Sequence, residues 1–543
     1  MKEYLKKISL VLATCTFLFS CDKFLEENPK DKLPEDDVYN SISEVYLNAV
    51  ASLYTYVGGY SDSQGLQGTG RGVYDLNTFT TDEAIIPTRG GDWYDGGFWQ
   101  GLFLHDWGIE NDAIQATWEY LYKVVMLSNK SLERIDKFAE THSDAELPAY
   151  RAEVRAMRAM YYYYLLDLFG RVPLVQSSSP AMKDVVQSER KTVFEFIFKE
   201  LQEVAPLLSE VHSNQTGPYY GRITRPVVTF LLAKLALNAE VYTDNDWTDN
   251  ERPDGKNIKF MVDGNELNAW ETVIYYCDQL KVMNYKLEPE YETNFSIFNE
   301  PSVENIFTIP MNKTLYTNQM QYLFRSRHYN HAKAYGLSGE NGPSATIEAL
   351  ETFGYGTAAQ DPRFDICYFA GEMYDLKGDI IKLDDGTVLV YFPWEVALDI
   401  TDTPYEQTAG ARMKKYEVDP TATKDGKLME NDIVLFRYAD ALLMKSEAKV
   451  RNGANGDVEL NQVRSRVKAA RRPATLENIL SERQLELAWG GWRRQDLIRF
   501  GMFTRAYNSR PQLPNEETGY TTVFPIPEKI RVMNTKLVQN PGY

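Results

Sequence analysis

The sequence predicts a mostly α-helical protein in which a scaffold of paired helices carries an irregular, loop-rich lobe with short strands. Helical periodicity dominates residues 41–242 and 431–543, which we interpret as the N-terminal and C-terminal parts of the scaffold. Residues 243–430 lack this periodicity, because turn-rich stretches alternate there with strand-like runs such as 380–383 and 388–391. No low-complexity linker divides the chain, so we expect one interwoven body.

The clearest helix is predicted over residues 147–168, where apolar side chains recur every three or four positions. Gly170 provides a left-handed stop, and Pro173 prevents the helix from continuing. Further amphipathic helices are predicted over 41–57, 110–138, 191–208, 225–242, 269–282, 437–451, 457–470, 475–489 and 493–500. Paired helices of this length suggest tetratricopeptide-like packing, although the sequence shows no clean repeat of about 34 residues.

Residues 1–20 have the features of a lipoprotein signal peptide. A short basic region precedes an apolar run over 8–19, which is too short to span a hydrocarbon layer of ~30 Å. Ser20 precedes Cys21 as in a lipobox, so we expect cleavage before Cys21 and acylation of this residue. Residues 21–40 would then form a lipidated tether, whose acidic start resembles a signal for the cell surface. An ordinary secretory signal with a chance cysteine is the alternative.

The charge balance argues against several classes of partner. The formal net charge is −19, and residues 1–20 carry a net charge of +2, so the mature chain carries −21. Such a charge repels phosphate backbones and anionic lipid surfaces, so no nucleic-acid partner is expected. It suits a body that a tether holds away from a membrane.

Motifs of common enzyme classes are missing from the sequence. It contains no G-x-S-x-G, H-E-x-x-H or G-x-x-x-x-G-K-[ST] motif, so we assign no catalytic residue. His328 and His331 lack an obvious third metal ligand, and the acidic stretch 244–249 does not fit an EF-hand loop. We therefore predict no metal and no cofactor. Cys277 and Cys367 could form a disulfide or remain as two buried thiols.

Seven blocks, in order along the chain, resemble the SusD/RagB family of surface lipoproteins. The blocks are residues 21–25, Thr81-Asp82-Glu83, the tyrosine-rich helix and turn at 158–174, Arg437 to Ala448, Asn461 with Arg464 and Arg466, Glu482-Arg483 through Arg499, and the ending from Pro525-Ile526-Pro527-Glu528 to Gln539-Asn540-Pro541-Gly542-Tyr543. One departure is Gly490, which stands where the family usually has Glu. A local ion pair near Arg493 is therefore expected to be missing.

This resemblance implies four tetratricopeptide-like helix pairs that carry a variable lobe. It also implies that the partner is a TonB-dependent outer-membrane transporter, which the lipoprotein covers like a lid. We expect the charged residues of the blocks to be scaffold residues that pair with one another on buried helix faces. They are Arg158, Arg437, Glu447, Arg464, Glu482, Arg483, Arg493, Asp496 and Arg499.

Aromatic residues in polar, glycine-rich loops are the candidate ligand contacts, because such loops lack a helix face that would bury the rings. One stretch, 89–100, follows the acidic motif at 81–83, and in the family the loop after this motif supplies a ring to the binding site. The other stretch, 312–335, precedes a segment that resembles the ligand-facing lobe of the family. The predicted ligand-binding residues are Arg89, Asp92, Trp93, Tyr94, Trp99, Tyr316, Tyr322 and Tyr329. An aromatic ring covers the flat C–H face of a pyranose, while Asp, Asn and Arg bond its hydroxyls.

We therefore expect a non-catalytic lipoprotein, exposed on the outer membrane, that binds oligosaccharide or polysaccharide and delivers it to the transporter. Three alternatives remain open. The ligand could be a peptide, the chain could be an (α/α)6-type glycoside hydrolase, or it could mainly gate the transporter. A hydrolase of this kind needs two opposed carboxylates ~5–10 Å apart and six evenly spaced helical hairpins. The irregular pattern of residues 243–430 argues against such hairpins.

Overall fold

A computed structural model describes residues 38–59, 64–67, 70–314, 325–423 and 426–543. The predicted signal peptide, the acylated Cys21 and all of the tether except residues 38–40 lie outside these ranges. Two of the predicted ligand-binding residues, Tyr316 and Tyr322, also lie outside them.

Helices are the largest group of regular elements in the described fold. In chain order they are α1 Ile42–Val45, a π-helical segment Tyr46–Ala51, α2 Ser52–Gly58, α3 Val73–Thr78, α4 Phe98–Leu104, α5 Asp112–Ala139, α6 Leu147–Phe169, α7 Arg190–Val204, α8 Arg225–Leu237, α9 Ala239–Tyr242, α10 Ala269–Val282, α11 Tyr329–Ala334, α12 Ile347–Phe353, α13 Phe364–Cys367, α14 Tyr438–Arg451, α15 Asp457–Arg466, α16 Leu476–Leu487, α17 Arg493–Arg499 and α18 Glu528–Met533. The long helices lie where the apolar periodicity predicts them.

The scaffold helices pack mainly against their neighbours along the chain. Helix α5 packs against α6, and α6 packs against α7. In the C-terminal part, α14 packs against both α15 and α16. Helix α10 joins the two parts, because it contacts α8 on one side and α14 on the other. The predicted fold class, a mostly helical scaffold of paired helices with a loop-rich lobe, is confirmed.

In the described part of the chain, the strands form short antiparallel pairs and no larger sheet. The strands are β1 Ala84–Ile85, β2 Val172–Pro173, β3 Gln187–Ser188, β4 Lys259–Val262, β5 Asn265–Asn268, β6 Asn305–Ile309, β7 Ser344–Ala345, β8 Tyr368–Phe369, β9 Gly371–Glu372, β10 Val390–Tyr391, β11 Arg412–Met413 and β12 Ile433–Arg437. The pair of β6 and β12 connects the lobe to the start of α14. The pair of β1 and β7 connects the N-terminal half to the lobe, with Ala84 opposite Ala345.

Local signals in the sequence explain where several helices begin and end. Asn111 accepts hydrogen bonds from two backbone N–H groups at the start of α5, and Asn268 forms a capping box with Glu271 at the start of α10. Gly170 adopts φ 68° directly after α6, which is the predicted left-handed stop.

The charged residues of the resembling blocks pair with one another in the interior, as predicted. Glu486 is fully buried and accepts from Arg363 at 2.9 Å and from Arg437 at 2.8 Å, and it also pairs with Arg466. These guanidinium groups hold the pKa of Glu486 far below its usual range although burial opposes the shift. Glu447 pairs with Arg499 in the same manner at 2.7 and 2.8 Å. These side chains are therefore structural.

A buried ion pair joins the acidic motif at 81–83 to the C-terminal scaffold. The Arg493 guanidinium donates to Asp82 through Nε at 2.6 Å and through Nη2 at 2.9 Å. The neighbouring Glu83 accepts a hydrogen bond from the backbone N–H of Trp489 at 2.9 Å. Although residue 490 is glycine, Arg493 therefore has a carboxylate partner, which Asp82 provides from a distant part of the chain.

The structure also shows that the two cysteines within the described ranges form no disulfide. Cys277 and Cys367 are both buried and unpaired. Within the described ranges, no helix is long and apolar enough to cross a membrane.

Burial raises the pKa of Glu83 to about 7, even though the Trp489 N–H and the nearby Lys415 and Arg493 cations lower it. A carboxyl whose pKa is raised on folding stabilises the fold below its unfolded pKa and loses this contribution as the pH rises through the folded pKa. We predict that Glu83→Gln removes this pH-dependent loss of stability, because the glutamine side chain does not titrate. The stability of the variant relative to the native protein should rise by up to about 3 kcal/mol between pH ~4.5 and pH ~7. Urea denaturation at a series of pH values measures this difference.

An exposed carboxylate provides the control. Glu477→Gln, on the exposed surface of α16, shows whether removal of a negative charge alone has the same effect. A stability difference for Glu83→Gln that stays constant across this pH range would contradict the assignment.

Candidate functional site

Residues 89–92 form a tight turn at the start of the first aromatic stretch. The backbone N–H of Arg89 donates to the carbonyl of Asp92 at 3.0 Å, and the N–H of Asp92 donates back to the carbonyl of Arg89 at 3.0 Å. Gly90 occupies the turn with φ 60°. Asp92 and Tyr94 are exposed at this turn, whereas Trp93 between them is partly buried.

Arg89 lies inside the protein, so its expected place on the ligand surface is wrong. Its guanidinium is 1% exposed and donates to the carbonyls of Glu406 and Ala409, each at 2.9 Å, and to Ser344 Oγ at 3.0 Å. Burial and the neighbouring Arg412 lower the pKa of Arg89 well below its usual value. The side chain therefore ties the turn to the residues that surround it.

Arg412 completes this internal frame from strand β11. It donates to Ser344 Oγ at 2.8 Å, to the Gly342 carbonyl at 3.1 Å and to Asn341 Oδ1 at 2.9 Å. Burial lowers the pKa of Arg412 to about 10, so the guanidinium remains charged at neutral pH. Because Arg89 and Arg412 share Ser344 as an acceptor, the turn at 89–92 and the segment 341–344 are held in one arrangement.

Trp93 is half-buried beside this frame. It adopts φ 63°, which is uncommon for a residue other than glycine, and its indole N–H donates to the carbonyl of Glu340 at 2.7 Å. The ring packs so closely on Gly342 that a Cβ there would lie 2.5 Å from Cζ2 of the indole. The Arg325 guanidinium lies 5.9 Å from the ring centroid, within cation–π range.

Trp99 is only 2% exposed, so the expectation that its ring stands in a wet loop is wrong. The physical reason is that residue 99 is the second residue of helix α4, which gives the ring an inward direction. Its indole N–H donates to Asp95 Oδ2 at 2.8 Å, and the rings of Phe79, Trp93 and Phe98 contact it edge to face. Trp99 therefore supports Trp93 from below.

Asp92, Tyr94 and Tyr329 are the predicted residues that face solvent. Tyr94 is 60% exposed and Tyr329 is 43% exposed. The Tyr329 hydroxyl donates to Asp92 Oδ2 at 2.6 Å, which links α11 to the turn at 89–92. Partial burial and this hydrogen bond raise the pKa of Tyr329 to about 12, so the phenol keeps its proton at neutral pH. The structure thus brings two of the three exposed side chains into direct contact.

Several residues of this region are not marked in the sequence. Arg325, Glu340 and Arg412 contribute contacts from positions 230 or more residues after the turn at 89–92. Their roles depend on long-range contacts that a local pattern does not contain. The one local signal is the segment Gly342-Pro343-Ser344-Ala345, which resembles the family pattern and here provides β7 and the shared acceptor Ser344.

The two histidines of the second stretch are structural groups. His331 is buried with its Nδ1 3.0 Å from the Tyr391 hydroxyl, and burial next to Arg327 lowers the pKa of His331 to about 2. Among the residues that the structure describes, no group of three or more His, Cys, Asp or Glu side chains could hold a metal ion.

Profiles of known protein families match both halves of the chain. The profile described as the SusD family matches residues 303–543, and a profile described as starch-binding associating with outer membrane matches residues 23–237. The starch-binding protein SusD of Bacteroides thetaiotaomicron is 25% identical over 509 residues, which cover 88% of this chain and 87% of that protein. A SusD-like protein of Bacteroides ovatus is 22% identical and covers 91% of this chain and 82% of that protein.

Solved structures share the fold over almost the whole chain. A laminarin-binding SusD-like protein has a TM-score of 0.69 with 20% identity, and the alignment covers 93% of this chain and 100% of that one. Surface glycan-binding protein A from Bacteroides thetaiotaomicron, in complex with laminarihexaose, has a TM-score of 0.67 with 19% identity and coverage of 92% and 99%. The two profile matches together cover most of the chain, and on this basis the chain belongs to the SusD/RagB family.

Proposed function

We propose that this protein is a non-catalytic, surface-exposed lipoprotein that binds glycan and delivers it to a TonB-dependent outer-membrane transporter. The observation that carries the proposal is the hydrogen bond from Tyr329 to Asp92 beside the exposed ring of Tyr94. This arrangement presents two tyrosine rings and a carboxylate to solvent on a frame that Arg89 and Arg412 hold from inside.

The chemistry of these groups suits a sugar. A ring that covers about 50 Å² of a pyranose C–H face contributes roughly 1 kcal/mol at about 25 cal/mol/Å². Two or three such contacts with hydrogen bonds from a carboxylate reach millimolar to micromolar affinity, for which ~4 to ~8 kcal/mol is needed. Two relatives are described as binding starch and laminarin, which supports a glycan over other flat ligands.

The proposed location rests on the N-terminal sequence and on the family. Cys21 is the expected acylation site, and the profile that matches residues 23–237 is described as associating with the outer membrane. A stable anchor needs two acyl chains or one chain with a second signal. The transporter partner comes from the resemblance to the family, in which the lipoprotein covers the transporter.

We further propose that the protein does not cleave its ligand. The two carboxylates of the turn region are engaged as acceptors, since Asp92 accepts from Tyr329 and Asp95 accepts from Trp99 and Arg71. Glycoside hydrolysis needs one carboxyl to protonate the leaving group and a second to act as base or nucleophile. Hydrogen bonds to ordered side chains favour a positioning role for both groups.

Removal of either exposed ring should weaken binding. We predict that Tyr94→Ala and Tyr329→Ala each reduce affinity about five- to tenfold, because each loses one stacked contact of roughly 1 kcal/mol. Isothermal titration with laminarihexaose and with starch oligosaccharides measures the effect, and a peptide mixture tests the peptide alternative. Tyr329→Phe keeps the ring and removes the bond to Asp92, so it should retain more affinity than Tyr329→Ala.

Phe298→Ala is the matched control, because this ring is 67% exposed on another segment of the chain. Unchanged affinity in both tyrosine variants would contradict the proposed site. If binding to glycan is also absent in the native protein and peptides raise its melting temperature, the peptide alternative is favoured. If the tyrosine variants bind and support growth as the native protein does, the gating alternative is favoured.

Incubation of the protein with any glycan that it binds should release no new reducing ends. The prediction follows from the engaged carboxylates, and a reducing-sugar assay over hours measures it. Time-dependent release that is lost in Asp92→Asn would overturn the non-catalytic assignment and favour a hydrolase.

A further inference from the structure

A cavity of about 230 Å³ lies at the meeting point of three segments that are distant in sequence. They are the first helices over 46–57, the loop 220–222 before α8, and residues 308–310 at the end of β6. We call it the tyrosine cavity, because Tyr46, Tyr54 and Tyr220 contribute to its lining. None of its lining residues belongs to the site around the turn at 89–92.

The π-helical segment Tyr46–Ala51 forms one side of the tyrosine cavity. Its wide turn is closed by a bond from the Ser52 N–H to the carbonyl of Leu47, five residues earlier. In an α-helix, residues five apart point in different directions, because 3.6 residues complete a turn. In this segment, Tyr46 and Ala51 instead line the same cavity. Local departures from α-helix geometry of this kind are frequent at functional sites.

A buried carboxylate orients two of the polar side chains that line the cavity. Glu153 is 3% exposed and accepts a hydrogen bond from the Tyr54 hydroxyl. The Arg222 guanidinium donates to the same carboxylate through Nε at 3.0 Å and through Nη2 at 2.6 Å. The Tyr54 oxygen also accepts from the backbone N–H of Ile223 at 2.8 Å. Tyr54 and Arg222 therefore have fixed positions before a ligand enters.

A second buried carboxylate orients two further lining residues. Asp432 accepts from the Tyr220 hydroxyl at 2.6 Å and from the Thr308 hydroxyl at 3.0 Å. Between these two groups in the lining, Gly221 adopts φ 72° and lies so close to the Pro310 ring that a Cβ at residue 221 would collide with it. The loop and the end of β6 are therefore held together, and the lining is preformed.

The third tyrosine offers a hydroxyl to the cavity. The Tyr46 ring is held by the Arg222 guanidinium, 4.6 Å from its centroid, and by the Tyr150 ring at 5.3 Å. Among the described residues, none forms a hydrogen bond with the Tyr46 hydroxyl. This group can therefore bond a ligand without the loss of an internal contact.

The charge and the size of the tyrosine cavity favour a small neutral ligand. Among the described residues, Arg222 is the one charged side chain in the lining, and Glu153 pairs with it at 2.6 Å. Pockets for drug-sized ligands have volumes of about 300–1,000 Å³, so this smaller cavity suits a single ring and is too small for an oligosaccharide. Tyrosine rings with fixed hydroxyl and guanidinium groups are the combination that a pyranose requires.

We propose that the tyrosine cavity is a second sugar site, which binds one free monosaccharide and is separate from the surface around Tyr94 and Tyr329. The choice of a sugar over other small neutral molecules rests on the proposed function. The protein thus has two kinds of sugar contact, an exposed surface for a glycan chain and a preformed cavity for a single ring.

Saturation-transfer difference NMR with D-glucose, D-galactose, D-mannose and D-xylose tests the proposal on the full chain. At least one of these sugars should give a signal with the native protein. Ala51→Phe should abolish that signal, because the new ring occupies the cavity. Tyr46→Phe keeps the ring and the fold and should weaken the affinity about three- to tenfold, which is the usual effect of one lost hydrogen bond.

Ala139→Phe is the matched control, because Ala139 lines a different groove at the end of α5. The double variant Tyr94→Ala with Tyr329→Ala separates this proposal from the proposed function, since it should lose affinity for laminarihexaose and keep the monosaccharide signal. A signal that is lost in this double variant but retained in Ala51→Phe would overturn the second site and leave the proposed function intact. No signal from any of the four sugars, or equal effects of Ala51→Phe and Ala139→Phe, would also overturn it.

Discussion

The ion pair between Asp82 and Arg493 fixes the candidate site to the scaffold. Both side chains are buried, and the contact joins residues 411 positions apart through two hydrogen bonds. Removing one partner from such a pair leaves an uncompensated charge, which costs about 3–5 kcal/mol. The chain continues from Asp82 into β1, which pairs with β7, and then into the turn at 89–92. The position of the turn therefore depends on this pair.

Buried arginines also hold the loops that lie between this ion pair and the surface. Arg89 and Arg412 bind backbone carbonyls and the shared Ser344 hydroxyl, so that two loops distant in sequence keep one geometry. The predicted ligand-binding residues that reach solvent are then few, namely Asp92, Tyr94 and Tyr329. A preformed surface of this kind limits the ordering cost of binding, which matters for a ligand that offers weak contacts.

The sequence predicts the scaffold well because helices bury one face and repeat every three to four residues. Helix α10 matches the predicted 269–282, and α6 extends the predicted 147–168 by one residue. Exposure within the candidate site is predicted less well, since Arg89 and Trp99 lie in a polar, glycine-rich stretch yet are buried. Residues 344, 406 and 409 provide the partners of Arg89, and the rings of Phe79, Trp93 and Phe98 contact Trp99. The local sequence does not indicate partners that are distant along the chain. For the same reason it does not indicate the contacts that Arg412 and Arg325 make in the site.

A structure of the protein with bound laminarihexaose tests the central claim, which is that buried charge pairs hold a preformed sugar surface. The account predicts sugar rings against Tyr94 and Tyr329, a hydroxyl bonded to Asp92, and a backbone over residues 89–99 that differs from the free protein by less than about 1 Å. An oligosaccharide bound elsewhere on the protein, or a turn at 89–92 that rearranges to accept the ligand, would contradict it.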